Sequence, residues 1–342
     1  MKRGIMLMLG ICYAGLFAQS DAWTWHYHKV VPDEQARAHS EKRELIFTKQ
    51  HVPLFTQLVF SWNAFRPQKG YYTFYMQTRD AATQSWSTWH KMVDWGNCVQ
   101  CSYESSSDGK SRYVYVRLET EQQRKGDAFR IKVVAHKQAD LSQLRGFTVN
   151  ASDLHRFQPE SIAFNHLPSV YIDRVPKFSQ LQLDHEDCRT MCSPTSCSMW
   201  VSYLTKRQVH PIAFAEASFD KGLKAYGSWP FNMAHAFELA GGAFRFYAGR
   251  LHSFSALHSK LLQGTPVVVS VRGDLQGAPK SYTNGHLMVV VGFDAQKNVV
   301  ICHDPAAESA RGTYKRYPVE SFVRAWERSR RLSYVAQMVQ QA

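Results

Sequence analysis

Acidic residues are scarce in this chain. It has 342 residues, of which 28 are Asp or Glu and 41 are Lys or Arg, so the formal net charge is +13. This balance favours an anionic partner or matrix but identifies no substrate. Low-complexity tracts, internal repeats and a glycine period are missing, and 44% of the residues are hydrophobic. A disordered or collagen-like chain is therefore excluded, and the apolar content suffices for one large core and indicates two.

Long apolar runs are missing except at the start of the chain. Two basic residues there precede a mostly apolar run from Gly4 to Ala18, which predicts a secretory signal over residues 1–22, cleaved near Ala18 to Ala22. An uncleaved amphipathic start or a single anchor is the alternative. No later stretch approaches the ~20 apolar residues of a transmembrane helix. We therefore expect a secreted or periplasmic protein with no stable membrane span in the mature chain.

Cysteine is sparse, with seven residues in the chain, and export would remove Cys12 with the signal. In an oxidising compartment some of the remaining six should pair, although the sequence leaves their connectivity open. Cys98 and Cys101 form a C-x-x-C that predicts a local disulfide, with a redox pair or half of a zinc site as alternatives. Neither a second C-x-x-C nor an H-E-x-x-H motif is present. The sequence therefore indicates no metal and no cofactor.

The region spanning residues 23–165 has the period-two alternation of short β-strands, with turn sequences between them. The predicted strands include LVFSWNAF, GYYTFYMQTRD, YVYVRLET and AFRIKVVAH. Strands of this length and spacing predict an all-β sandwich domain. Four tryptophans are concentrated between Phe55 and Val134, which is more typical of a core than of a carbohydrate-binding face.

Residues 166–342 follow a different pattern, in which helices come first and strands follow. Helices are predicted over residues 193–204, 231–240 and 251–262, and three strand-like runs come after them: TPVVVSVRG, HLMVVVGFD and VVICHDP. Helices followed by consecutive strands indicate an α+β domain with an antiparallel sheet. The change of period places a domain boundary near residue 165.

Cys192 lies where a polar loop leads into the predicted helix SPTSCSMWVSYL. The positive end of a helix favours thiolate over thiol, so a cysteine there is predisposed to act as a nucleophile. We expect Thr195 or Ser193 to cap this turn. Cys197 falls inside the helix and Cys188 lies in the loop, so both are weaker candidates that fit packing or a disulfide better.

His286 and Asp304 fit the base and the orienting group that a nucleophilic cysteine needs. His286 opens one predicted strand and Asp304 ends the next, and the short loop DAQKN joins them. Antiparallel pairing places the start of the first strand beside the end of the second. His303 should point to the opposite face, so it is the weaker base. A metal site built from these three residues has no supporting motif.

Four ordered segments resemble the family-39-like bacterial cysteine peptidases of the papain superfamily. They are VPKFSQLQLDHEDCRTMCSPTSCSMWVSYL, NGHLMVVVGFD, VVICHDPA and YPVESFVRAW. The resemblance covers Val170 to about Val339 and implies a C-terminal papain-like domain, so the expected fold class is α+β with an all-β sandwich in front of it. The segment before it is similar, more loosely, to the β-sandwich that often precedes such peptidase domains.

The resemblance also implies roles for individual residues. Cys192 would be the nucleophile, His286 the general base and then acid, and Asp304 the orienting group. Gln180, in the V-P-x-x-x-Q pattern, would donate from its side chain to the oxyanion. Ser193 departs from the family pattern, where glycine is usual, and its Cβ is expected to narrow the approach to the sulfur.

Three functions are compatible with these residues. The first is an exported cysteine peptidase that cuts peptides or proteins, and the second uses the same triad on peptidoglycan stem peptides, which the basic charge would suit. The third is a non-catalytic peptide-binding protein with a degenerate peptidase domain. No basic helix or RNP-like motif is present, so no nucleic-acid partner is expected. Substrate specificity and oligomeric state are not indicated.

Overall fold

The computed structural model describes residues 22–164 and 166–339. The signal predicted over residues 1–22, including Cys12, lies outside the described residues apart from Ala22. Six α-helices and three antiparallel sheets are described, which confirms the predicted α+β class. None of the described helices has the length and apolar character that crossing a bilayer requires.

The first half of the chain forms two antiparallel sheets. One sheet has the order β1-β11-β3-β9-β8-β7, and the other has the order β2-β10-β4-β5-β6. Their strands are β1 (Thr24–Val30), β2 (Glu44–Lys49), β3 (Gln57–Ala64), β4 (Tyr71–Asp80), β5 (His90–Gly96), β6 (Gln100–Ser102), β7 (Ser106–Ser107), β8 (Ser111–Val114), β9 (Arg117–Thr120), β10 (Gly126–His136) and β11 (Leu144–Ser152). A short helix, α1 (Asp33–Arg37), lies between β1 and β2.

The two sheets share one apolar core. Trp62 and Trp95 are fully buried in it, with their ring centroids 5.6 Å apart. Trp86 and Trp89 are only partly buried, and basic side chains stack on their rings. Two of the four tryptophans between Phe55 and Val134 therefore serve as core residues, as the strand pattern predicts.

The predicted strand YVYVRLET is wrong as a single element. It forms the hairpin β8–β9, whose turn residues Tyr115 and Val116 both have positive φ, 46° and 58°. Two consecutive residues with positive φ make the turn that matches the twist of a two-residue hairpin, where Asn-Gly is the usual sequence. Tyr-Val carries no such signal, so alternation alone could not reveal the turn.

The second half of the chain builds the third sheet, with the order β13-β18-β14-β15-β16-β17, and β12 pairs with β15. The strands are β12 (Val170–Tyr171), β13 (Phe244–Arg250), β14 (Val267–Gly273), β15 (Tyr282–Asp294), β16 (Val299–His303), β17 (Tyr314–Pro318) and β18 (Leu332–Met338). The helices are α2 (Cys192–Thr205), α3 (Pro211–Ser218), α4 (Trp229–Leu239), α5 (Phe254–Leu262) and α6 (Val319–Glu327). Three helices and three strands thus lie where the sequence predicts them.

Strand β3 is buried on both faces, because it belongs to the contact between the two halves. Its alternate residues Leu58, Phe60 and Trp62 lie in the core between the first two sheets. Ser61 faces the other way and accepts a hydrogen bond from the Ala248 amide of β13 at 3.0 Å. Phe231 of α4, from the second half of the chain, packs on Trp62 with the ring centroids 5.7 Å apart. The two halves therefore share buried surface.

The six cysteines of the described residues are all free thiols. The disulfide predicted between Cys98 and Cys101 is therefore wrong. Cys98 is exposed in the turn between β5 and β6, where the Gly96 amide donates to Val99 O. Cys101 lies on β6, and its thiol donates to Ser102 O at 3.3 Å. Backbone hydrogen bonds already close this turn without a covalent link.

Candidate active site

Cys192 is the first residue of α2 and follows the N-cap Met191. The thiol is partly buried and lies at the positive end of a helix of 14 residues. No side chain caps this helix, so the predicted capping by Thr195 or Ser193 is wrong. The Oγ1 atom of Thr195 is buried without a partner, and the Ser193 hydroxyl bonds elsewhere. The Thr195 amide donates to Met191 O at 3.1 Å, so the amides of Cys192 and Ser193 are left for other acceptors.

His286 and Asp304 meet as the strand pairing predicts. The register of β15 and β16 sets Val289 opposite His303, so Asp304 lies just beyond the paired segment, close to His286. The His286 Nε2 atom is 2.7 Å from Asp304 Oδ1. Both side chains are buried, with exposed fractions of 4% and 0%. Because Nε2 is bound to Asp304, Nδ1 is the nitrogen free to hydrogen-bond the Cys192 sulfur.

Two tyrosines complete the surroundings of Asp304, and the sequence did not reveal either. Tyr282 and Tyr317 each donate a hydroxyl hydrogen bond to Asp304 Oδ2 at 2.6 Å. The Ala306 amide donates to Oδ1 at 2.9 Å. Four donors, counting His286, therefore surround the carboxylate and compensate for its burial.

The position of Tyr282 depends on an irregularity in β15. Four residues of a straight strand span roughly 13 Å, yet the Tyr282 ring stacks on His286 with centroids 4.1 Å apart and planes at 11°. The register shifts between Val271 and Gly273 of β14, and Gly285 adopts a φ of 89°. This bulge in β15 brings Tyr282 close to His286. The hydrophobic periodicity of the sequence does not predict it.

Burial disfavours the charged forms of Cys192, His286 and Asp304, and the contacts among these groups outweigh that effect. Burial raises the pKa of Cys192, but His286 and the amides of Leu287 and Ser193 bring it below its ordinary value. Burial lowers the pKa of His286, whereas Asp304, and then Cys192, raise it to about 9. Burial raises the pKa of Asp304, whereas His286 and the tyrosine hydroxyls lower it to about 2. These contacts therefore favour a thiolate beside an imidazolium over a neutral thiol beside a neutral imidazole.

Gln180 lies in a short 3-10 turn, Gln180–Gln182, and is 2% exposed. Its Nε2 atom donates to the carbonyls of Cys188 and Arg189 at 3.0 and 2.9 Å, while its Oε1 atom is buried without a partner. The structure thus places this amide on the loop that leads to Cys192. To donate to an oxyanion, the amide has to release one of the two carbonyls.

The Ser193 side chain does not stand over the sulfur. It is completely buried, and its hydroxyl donates to Asn232 Oδ1 at 3.1 Å and lies 3.0 Å from the Tyr334 hydroxyl. The expected narrowing of the approach to Cys192 is therefore not observed, because the Cβ atom points into the protein interior.

The weaker candidates lie elsewhere. His303 faces away from Asp304, and its Nδ1 atom is 3.1 Å from Pro176 O. Cys197 is buried within α2, and burial, followed by the nearby Cys192, raises its pKa well above the ordinary value. Cys188 is partly buried in a 3-10 turn before α2. Cys192 alone among these thiols has an imidazole as its hydrogen-bond partner.

This arrangement can perform nucleophilic chemistry on a carbonyl. A thiolate at a helix start can attack, the imidazolium beside it can give its proton to a leaving group, and the carboxylate keeps the imidazole in one orientation. Within residues 22–164 and 166–339, no group of three or more metal-binding side chains is found.

Comparison with known proteins agrees with this chemistry. Residues 172–334 match the model of the Peptidase_C39 like family. A solved structure from Bacillus anthracis, described as that of a C39-like peptidase, is 20% identical with a TM-score of 0.38, and the match covers 50% of this chain and 100% of that one. Xylellain, a cysteine protease from Xylella fastidiosa, is 13% identical with a TM-score of 0.33, over 54% of this chain and 91% of that one. Structural similarities this weak add nothing to the family match. No curated protein matches the sequence.

Proposed function

We propose, from the premise that residues 172–334 form a cysteine peptidase domain of the C39-like kind, that this chain hydrolyses peptide bonds with Cys192 as nucleophile and His286 as acid and base. Asp304 is the orienting group. The observation that carries the proposal is the buried His286–Asp304 contact of 2.7 Å beside a cysteine that begins a helix.

The reaction follows from these positions. The Cys192 thiolate attacks the carbonyl carbon of the scissile bond, and the electron pair of the C=O bond moves to oxygen. The His286 imidazolium then gives its proton to the leaving amine as the C–N bond breaks, which leaves an acyl group on sulfur. Water, deprotonated by His286, attacks the thioester and releases the acid. Asp304 keeps the imidazole oriented in both halves of the reaction.

The decisive comparison is between wild type, Cys192→Ala and Cys98→Ala on a broad peptide library under mild reductant. Loss of hydrolysis is expected only for Cys192→Ala, because Cys98 is an exposed thiol in the turn between β5 and β6. Activity retained by Cys192→Ala would assign the chemistry to another residue. If wild type is inactive and an electrophile labels Cys192 no faster than the other thiols, the chain is a peptide-binding protein instead.

The oxyanion is the second charge that the site has to stabilise. The Cys192 backbone amide and the Gln180 side chain are its proposed donors. Removing one such donor typically costs ~10²–10³ in kcat, so Gln180→Ala should lower kcat by this amount while thiol labelling at Cys192 stays within a few fold. If both fall together, Gln180 acts by holding the loop that carries Cys188 and Arg189.

The substrate class is proposed to be peptides or unfolded proteins, and the net charge of +13 makes cell-wall stem peptides the second candidate. Purified sacculi and an unfolded protein, each incubated with wild type and Cys192→Ala, separate the two. Release of stem-peptide fragments without cleavage of the protein would establish the second candidate and exclude the first.

We also propose that the protein is exported with cleavage no later than Ala22. Trp23 is 3% exposed, packs on Phe157 at a centroid distance of 4.8 Å, and precedes β1. A cut beyond it would remove this buried ring from the fold. Sequencing the mature N-terminus from periplasm and medium tests the proposal, and a retained residue 1 would contradict it.

A further inference from the structure

The loop between α3 and α4, residues 219–228, is held by a strand of the other half of the chain. We call this segment the α3–α4 loop. Ser102 of β6 donates to both carboxylate oxygens of Asp220, from its amide at 2.9 Å and from its hydroxyl at 2.6 Å. Gln100 of β6 donates from its side chain to Phe219 O at 2.9 Å, and its own carbonyl accepts from the Lys221 amide at 3.1 Å. Asp220 is completely buried and Ser102 nearly so.

Asp220 also determines the shape of the loop. Its Oδ1 atom accepts the amides of Gly222 and Leu223 at 3.0 and 3.2 Å, and its backbone pairs in both directions with Ala225. The chain passes so close to β6 at Gly222 that a Cβ atom there would lie 1.8 Å from Ser102 O. The loop is therefore fitted to the surface of β6.

The end of the same loop is hydrogen-bonded, through Asn232, to the side chain of Ser193, the residue that follows the nucleophile. The fully buried Asn232 of α4 donates from Nδ2 to Tyr226 O and Ser228 O, both at 2.9 Å. Its Oδ1 atom accepts the Ser193 hydroxyl at 3.1 Å. Ser193 follows Cys192 directly in the chain, and both belong to the first turn of α2. Buried hydrogen bonds thus join β6 to the start of the loop, and further ones join the end of the loop, through Asn232, to the residue next to the nucleophile.

We propose that β6 of the N-terminal sheets is part of the catalytic unit, and that Ser102 and Asp220 are positioning residues which hold the α3–α4 loop and, through Asn232 and Ser193, the backbone at Cys192. The proposal rests on the assignment of Cys192 as nucleophile. Contiguous contacts alone do not establish energetic coupling. A measurement of the reactivity of Cys192 is therefore required.

Ser102→Ala and Ser61→Ala form a matched pair for this test. Each substitution removes one buried hydroxyl that joins the N-terminal sheets to the second half of the chain. The Ser102 bond leads to the α3–α4 loop, whereas the Ser61 bond leads to Ala248 on β13. Ser102→Ala should lower thermal stability more than Ser61→Ala, because the Ser102 hydroxyl donates to a carboxylate whereas the Ser61 hydroxyl accepts from a neutral amide. Thermal unfolding of both variants measures this difference, so that alkylation rates are compared only between folded proteins.

The readout is the rate at which iodoacetamide alkylates Cys192 in the full chain, followed against pH, with Cys192→Ala as background. Ser102→Ala should lower the rate at neutral pH about three- to tenfold and move the midpoint of the curve to higher pH, while Ser61→Ala stays within about twofold of wild type. Equal rates for the two variants would overturn the proposal. If Ser102→Ala does not fold, Gln100→Ala takes its place under the same criterion.

A double-mutant cycle that combines Ser102→Ala with Ser193→Ala tests whether these two residues act through one series of contacts. If they do, Ser102→Ala lowers the alkylation rate less in the Ser193→Ala background than in wild type. Fully independent effects would contradict the proposal. The failure of the catalytic assignment itself is distinguishable, because slow alkylation of Cys192 in wild type would reject the assignment before any variant is compared.

Discussion

Two regions of this molecule bury histidines in opposite charge states. At the edge of β15 and β16, His286 contacts Asp304, and its pKa is raised to about 9. At the contact of β1 with β13, His26 and His28 pack against Tyr247 with centroids 5.3 and 5.1 Å away. Burial, together with nearby cations, lowers their pKa to about 3 and about 4.

The difference shows how a buried imidazole can keep its proton. Burial lowers the pKa in both regions, and the carboxylate of Asp304, followed by Cys192, reverses the direction of the shift at His286. The charged neighbours of His26 and His28 include Lys260 and Arg245, which are cations. The neutral imidazole is therefore favoured in β1, whereas the protonated imidazole is favoured at His286.

The largest expected effect comes from removing the carboxylate. Asp304→Ala leaves the hydroxyls of Tyr282 and Tyr317 unpaired and removes the charge beside His286, so the pKa of the His286 imidazole should fall toward the lowered values of His26 and His28. Breaking a buried charge pair costs about 3–5 kcal/mol, and we expect kcat/KM to fall by roughly 10²–10³ or more. Asp304→Asn is the companion, since it retains an acceptor but no charge. A His286 pKa near 9 in either variant, measured by NMR titration, would contradict this account.

The next largest effect is the loss of folding stability at acid pH caused by His26, at the contact of β1 with β13. His26 has a folded-state pKa below its ordinary value, so the unfolded chain binds the proton more tightly and stability is lost as pH falls from about 6.5 toward 3. Between pH 7 and 4.5 this amounts to about 2–3 kcal/mol. His26→Leu should remove this part of the acid sensitivity of unfolding, measured in urea at both pH values. An unchanged pH dependence would show that His26 is already charged in the folded chain.

The contribution of His286 to stability changes with pH in the opposite direction, at alkaline pH. His286 has a raised pKa, so the stability that its ion pair contributes is fully present below about 6.5 and is lost as pH rises through about 9. The rate kcat/KM should decline through the same value, about tenfold per pH unit above it, because the leaving amine then lacks its proton donor. A profile that stays flat to pH 10 would rule out His286 as the acid.

The smallest expected effect concerns the second donor to the carboxylate. Tyr317→Phe removes one hydroxyl from Asp304, but Tyr282 still donates to the same carboxylate oxygen. The fall in kcat/KM should therefore be only about three- to tenfold, the net contribution of one ordinary hydrogen bond. Tyr314→Phe on the same strand is the control, because its hydroxyl bonds only the exposed Arg316 at 3.2 Å. Equal activities of the two variants would mean that Tyr317 does not support the charge of Asp304.

Parts of the candidate site were predictable because they depend on local geometry. A polar loop that enters a helix placed Cys192 at a helix start, and adjacent antiparallel strands brought His286 to Asp304. The tyrosine donors were not predictable, since Tyr282 reaches Asp304 only through a bulge and Tyr317 comes from a third strand. The hairpin at Tyr115 was missed for a similar reason, because its turn residues carry no turn signal.

The amino-acid sequence by itself determined the fold class, the start of the helix at Cys192 and the face of the strand that carries His286. These follow from hydrophobic periodicity and strand alternation, which act within a few residues. Tertiary structure alone decided the two tyrosine donors to Asp304, the direction of the Ser193 side chain and the hydrogen bonds of Ser102 to Asp220. Each of those requires groups distant in the chain to be desolvated together, and their energy exists only once both halves are packed.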